Sequence, residues 1–162
     1  MGYKTLLPLE IPFPHSNNCT VAIIGLGYVG LPLAVEFSKE ASCQLTGEDL
    51  KRRVIGFDID NQRLKELKEG FDRTNETTQE ELEKATQLVF SSDASMLSEV
   101  DVFIVTVPTP IDSAKKPDLT PLKKASSTIG KALKVRASKR SKTNSYTLPI
   151  IIFESTVYPG AT

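Results

Sequence analysis

Residues 21–30 read VAIIGLGYVG, an apolar run that ends in glycines at positions 25, 27 and 30. Few structures accommodate such a stretch. The β-branched residues of the run favour extended backbone, and a glycine directly after them permits a sharp reversal that a side chain would resist. The segment LPLAVEFSKE that follows has the apolar spacing of a helix. The stretch therefore predicts a buried strand, a tight turn and a helix opening on that turn, and the rest of the chain must supply their packing partners.

Those partners are present. CTVAII (Cys19 to Ile24), VIGF (Val54 to Phe57), LVF (Leu88 to Phe90), VFIVTV (Val102 to Val107) and PIIIF (Pro149 to Phe153) are β-branched and aromatic-rich, and most are too continuous for a sheet with one wet face. Helical candidates lie between them: LPLAVEFSKE; NQRLKELKEG, with Leu64 and Leu67 on one face and Gly70 as a stop; TQEELEKA; and TPLKKASSTIGKAL. Thr78 with Glu81 three residues on is a capping box, and Thr120 before Pro121 places a cap ahead of a proline at the first helical position. With 162 residues, 40% of them hydrophobic and 25% charged, the chain suits one globular domain. Alternation of strand and helix implies right-handed crossovers. The predicted fold is α/β: a Rossmann-type, doubly wound parallel sheet with helices on both faces.

In that context the glycines take on chemical meaning. Gly25, Gly27 and Gly30 follow a predicted strand and open a predicted helix, as dinucleotide binding requires. Gly25 permits the turn, Gly27 lets the backbone approach a pyrophosphate, Gly30 lets the helix pack closely, and the helix N-terminus favours the phosphates. One glycine would be enough for a sharp turn alone. An acidic residue at the end of the second strand is then expected to grip the adenosine ribose. Asp58, in VIGFD, stands 33 residues after Gly25, and the excess is explained if Ala41 to Arg53 is partly an inserted surface loop. Asp49 has the better spacing but sits inside that loop. The other role open to Asp58 is a cap for NQRLKELKEG. An aspartate at this point disfavours a ribose 2′-phosphate, so NAD is expected over NADP. The fourth and fifth strands run into VPTPID and ESTVYPG, at the carboxyl edge where doubly wound sheets bind ligands. Prolines 108, 110 and 159 stiffen these loops, and Thr109, Ser155 and Thr156 offer hydroxyls.

Other features narrow the function. Twenty basic and 20 acidic residues cancel, so no global field draws the chain to nucleic acid or to an anionic membrane. Lys131, Lys134, Arg136, Lys139, Arg140 and Lys142 form a basic run without interleaved aromatics, and it reads as a solvated loop in place of a tight turn. Cys19 and Cys43 have neither redox-motif spacing nor scaffold density, so reduced thiols and a cytoplasmic location are expected. His15 has no neighbouring cysteine or carboxylate cluster, so no metal site is expected. Residues 1–18 are broken by Pro8, Pro12 and Pro14, unlike a signal peptide, and read as a mobile arm ahead of a domain over 19–162.

VAIIGLGYVGLPLAVEF, VIGFDID, FIVTVPTPID, KPDLTPLKKAS and FESTVYPGAT resemble, in order, the amino-terminal NAD-binding domain of the UDP-glucose/GDP-mannose dehydrogenase family. The wording of the last three looks most like the branch acting on UDP-N-acetylhexosamines. The resemblance implies oxidation of a sugar C6 alcohol to a carboxylate with two NAD+, for surface polysaccharide precursors. It spans most of 19–162 but not the arm, Ala41 to Arg53, or Val135 to Leu148. By resemblance Gly25, Leu26, Gly27, Tyr28, Val29 and Gly30 bind the pyrophosphate, and Asp58 and Arg63 the adenosine half. Val105, Thr106, Val107, Pro108 and Thr109 line the cofactor, Ser155, Thr156 and Val157 lie near the nicotinamide, and Thr156 helps hold a catalytic water. From the residues alone, Arg63 reads as part of a solvated helix face.

The family oxidises through a thioester on a cysteine in a glycine-rich segment, a task suited to a thiolate. Neither Cys19 nor Cys43 matches that segment. The chain is therefore expected to be a fragment that lacks the central helix, the sugar-binding domain and turnover of its own, with self-association through an exposed surface. A non-catalytic NAD-binding module, or partner of a full-length dehydrogenase, is the second reading. A third is another Rossmann dehydrogenase, of the 6-phosphogluconate or hydroxyacyl-CoA type, which shares GLGYVG but is not expected to carry both VPTPID and ESTVYPG.

Overall fold

The computed structural model describes residues 13–15, 17–39, 42–43, 46–111, 116–140 and 147–155. Five parallel strands form one sheet: β1 (Val21–Ile24), β2 (Val54–Phe57), β3 (Leu88–Ser91), β4 (Val102–Val105) and β5 (Ile150–Phe153), in the order β3-β2-β1-β4-β5. The helices are α1 (Gly30–Ser38), α2 (Asn61–Lys68), α3 (Gln79–Lys84) and α4 (Thr120–Arg140), with a 3₁₀ turn at Ala94–Glu99.

Strand alternation divides the core into two layers. Val21 and Ile23 of β1, Val54 of β2 and Ile104 of β4 join Leu31, Ala34 and Val35 of α1 and Leu64 and Leu67 of α2. Ala22, Ile24, Ile55, Phe57, Phe103 and Val105 face the other way, onto Leu97 and Val100 and onto Leu122, Ala125, Ile129 and Ala132 of α4. Both faces of the three central strands are covered, which is why these strands read as continuous apolar runs. Ile24 lies opposite Phe57 and Val105, and Val105 opposite Phe153, so the carboxyl ends of four strands are level. The chain winds from β1 out to β3 and then crosses to β4 on the other side of β1. The loops after β1 and β4 consequently diverge and leave a crevice, where sheets of this kind hold ligands.

Several expectations change in detail. The capping box at Thr78 and Glu81 forms, and Gly70, at φ 79°, follows the end of α2. At the start of α4 the side-chain oxygen comes from Asp118, which accepts the Thr120 N–H, and not from Thr120. From Lys131 to Arg140 the basic run is no loop but continues α4, which is 21 residues long, and Lys142 lies outside the described residues. Arg136 is 4% exposed, and it donates to the Val100 carbonyl and to Asp101 at 2.6 Å. The neutralising acid comes from another element. Asn17, in the stretch read as part of the arm, is buried, accepts the Lys51 N–H and bonds Glu48, so the described residues next to β1 are tied to the inserted loop. Within that loop Ser42 and Asp49 form an antiparallel bridge.

Candidate functional site

The site starts with the backbone. Gly25 has φ 99°, and a Cβ there would press on Val107. A Cβ on Gly30 would collide with the Gly25 carbonyl and the Thr106 hydroxyl, so only glycine lets α1 start this close to the turn. Gly27 faces open space, the feature that close approach of a ligand requires. Four groups then fix the turn. The Gly25 N–H donates to Phe57 O at 2.8 Å and the Gly25 carbonyl accepts from the Thr106 hydroxyl at 2.8 Å. The Leu26 N–H donates to Asp58 Oδ2 at 2.7 Å, and the Leu26 carbonyl accepts from Arg63 Nε at 2.9 Å. The first turn of α1 has no side-chain cap and no acidic residue. Its amides and positive dipole end thus suit an anion.

Asp58 follows β2 directly, and its Oδ1 accepts the Asp60 N–H at 2.9 Å. The helix-cap role belongs to Asp60, whose side chain accepts from Gln62 and Arg63 and pairs with Arg73 at 2.5 Å. Those amides and Arg73 hold the Asp60 carboxyl below the usual range. Arg63 does not lie on a solvated face. It is 2% exposed, it pairs with Asp72 at 2.7 Å, and its Nη1 is buried without a hydrogen-bond partner. Asp49 is exposed and lines a separate groove with His15, Asn17 and Lys51.

A cleft of about 680 Å³ runs from Asp58, Arg63 and Thr74 past Gly25, Leu26 and Gly27 to Thr106, Val107 and Pro108. One wall comes from α4, through Lys124, Thr128 and Lys131. Tyr28 and Val29 are exposed on the turn. Val105 is fully buried in β4, where its carbonyl accepts the Glu154 N–H, so the wall takes the residues after it. Thr109 is half-buried beyond the wall. The Ser155 hydroxyl donates to Val107 O at 2.7 Å, so it holds the β4 and β5 loops together before it offers anything to a ligand. Thr156 and Val157 lie outside the described residues. The sequence reading missed Arg73, Thr74 and the α4 wall. The helical spacing of Leu122, Ala125, Ile129 and Ala132, continued to Arg136, is the signal that would have found α4 at full length.

Burial pushes the Cys19 thiol up, and the negative charge of Asp101 adds to it, so this cysteine stays protonated and is a poor nucleophile. Among the described residues no His, Cys, Asp or Glu cluster could hold a metal, and no helix is long and apolar enough to cross a membrane.

Comparison with known proteins agrees with this geometry. The model of the NAD binding domain of the UDP-glucose/GDP-mannose dehydrogenase family matches residues 19–162. UDP-N-acetyl-D-glucosamine 6-dehydrogenases of Pseudomonas aeruginosa and Salmonella typhi are 51% and 49% identical to this chain over 146 residues, 90% of it. The chain spans 29% of the length of each. The solved UDP-D-ManNAc dehydrogenase of Pyrococcus horikoshii superposes with a TM-score of 0.69 at 27% identity, over 88% of this chain and 30% of that one.

Proposed function

The chain belongs to the UDP-glucose/GDP-mannose dehydrogenase family through its NAD-binding domain, and from that premise we propose that it is the NAD+-holding part of an enzyme oxidising C6 of a UDP-N-acetylhexosamine. UDP-N-acetylglucosamine is the favoured sugar, because the relatives at 51% and 49% identity are named for it. The observation that carries the cofactor assignment is the Gly25–Gly30 turn, braced by Asp58 and Arg63 and opening on an uncapped helix.

The residues fit the dinucleotide: Gly27 leaves room for a pyrophosphate, and Arg63 keeps a buried cationic donor unmatched. In this scheme the amides opening α1 hold the pyrophosphate, and Asp58 accepts from the adenosine ribose while keeping the Leu26 N–H. An ionised Asp58 repels a 2′-phosphate, which selects NAD+ over NADP+. Thr106, Val107 and Pro108 bound the path toward β5 and Ser155. Bound NAD+ supplies the hydride acceptor, and these side chains orient it and exclude water. Tests are calorimetric titration with NAD+ and NADP+ and an assay for NADH with UDP-N-acetylglucosamine. Saturable NAD+ binding, weaker NADP+ binding and no turnover by the chain alone are expected. Equal affinity for NADP+ would remove Asp58's selecting role, and absence of binding by the folded chain would refute the assignment.

The non-catalytic module is the second reading, and the buried, protonated Cys19 favours it for the chain in isolation. It predicts saturable NAD+ binding and, when the chain is mixed with a full-length relative, no NADH formation beyond that of the relative alone.

A further inference from the structure

Asp72 lies between α2 and α3, is 5% exposed, and has no part in the scheme above. Its two oxygens are fully engaged. Oδ1 accepts the Thr74 N–H at 2.9 Å and the Thr74 hydroxyl at 2.7 Å, and Oδ2 accepts the Glu76 and Thr77 N–H groups at 2.9 and 3.0 Å. The loop is thus wound around one carboxylate, which turns its remaining acceptor direction to Arg63 Nη2 at 2.7 Å. Side-chain exposures of 3% and 1% make this a buried ion pair. Such a pair is a poor source of stability, since well-packed apolar residues often do as well. What it supplies here is position. Arg63 has a long side chain, and with Nη2 held by Asp72 its Nε meets the Leu26 carbonyl at 2.9 Å while Nη1 remains unmatched. The same leucine has its N–H on Asp58. The middle residue of Gly25-Leu26-Gly27 is gripped at both ends, and one grip traces back to Asp72.

We infer that Asp72 is a positioning residue of the cofactor site: acting through Arg63, it fixes the Leu26 carbonyl of the glycine turn and readies the spare Arg63 donor for the adenosine end of the dinucleotide. The inference rests on the cleft being the NAD site. It makes the Phe71–Thr77 loop, remote in sequence from the glycines, part of the affinity for NAD+.

The test is a double-mutant cycle in the full chain with NAD+ as the titrant: wild type, Asp72→Asn, Arg63→Met and the double variant, each also melted without ligand. Asp72→Asn is expected to weaken NAD+ by about tenfold, the scale of a lost charge-assisted hydrogen bond. Arg63→Met is expected to weaken it at least as much, and the double variant no further than Arg63→Met alone. Affinity losses that multiply in the double variant, or an Asp72→Asn protein that binds like wild type, would overturn the inference. If Arg63→Met does not fold because Asp72 is left unpaired, Arg63→Lys keeps the charge but cannot reach both Asp72 and Leu26. Weaker NAD+ binding with a near-native melting temperature is then expected, and unchanged affinity would overturn the inference. A wild-type chain that binds no NAD+ would refute the cofactor assignment itself.

Discussion

Two arginine–aspartate pairs, each with a buried arginine, sit at opposite ends of the sheet, and they do different work. At the amino end Arg136 of α4 donates to the Val100 carbonyl, to Asp101 and, at 3.4 Å, to the Thr147 hydroxyl, while Asp101 also accepts the Thr20 N–H at 3.0 Å. That pair ties α4, β1 and the approaches to β4 and β5 into one body. At the carboxyl end Arg63, which lines the cleft, reaches Asp72 and the glycine turn but leaves its buried Nη1 without a partner. A buried donor left unmatched is costly to a protein alone, and the cost is recovered when a ligand supplies the acceptor. The same chemistry closes the fold at one end and, in the proposed scheme, is completed by the cofactor at the other.

Asp101→Ala is the harshest way to separate the two ends. It strands the Arg136 charge, so the chain should lose on the order of 3 kcal/mol of stability in denaturant unfolding, while the folded fraction binds NAD+ as before. Asp58→Ala should do the reverse. NAD+ affinity should fall by roughly tenfold or more and stability by only about 1 kcal/mol, because Asp58 is partly exposed. A large loss of stability with affinity intact would make Asp58 a structural residue.

Acid gives a subtler contrast. Burial pushes the Asp72 carboxyl up, but the Thr74 hydroxyl and amide, Arg63 and the Thr77 amide outweigh that and hold it at about 2, below the ordinary 3.8. A carboxyl depressed by folding stabilises the native state above its unfolded pKa, and that contribution fades as the pH falls through the folded one. The stability advantage of wild type over Asp72→Asn should therefore be constant near neutrality and shrink between about pH 4 and pH 2. A gap that stays constant down to pH 2 would mean that folding does not depress the Asp72 carboxyl. Smallest of all, Thr78→Ala removes the α3 capping box and should cost about 1 kcal/mol, with NAD+ affinity unchanged at either end's expense.

How much of this was legible in the sequence follows from how local each feature is. The Gly25–Gly30 turn, the strands and the Thr78 box are set by residues a few positions apart, and they stand where the spacing predicts. The place of Asp58 after β2, against the glycine turn, was legible in spite of a distance of 33 residues from Gly25, because it ends an apolar run, whereas spacing alone favoured Asp49. Arg63 was singled out only by the family resemblance, since its partners Leu26 and Asp72 arrive from different loops, and in the sequence it is one charge among several in NQRLKELKEG. The basic end of α4 failed for the same reason. A run with no acids looks solvated until Asp101 is folded against it. Charge patterns report the surface well and buried pairs poorly, because the second half of the pair is nonlocal.

The most direct test of the central claim is amide chemical-shift mapping of the isotope-labelled chain during titration with NAD+. Saturable shifts are expected at Gly25–Leu31, at Asp58–Arg63 and at Thr106–Val107, with Arg136 and the groove at Asn17 and Glu48 unmoved. Shifts centred on that groove or on the Arg136 end, with the glycine turn silent, would contradict it.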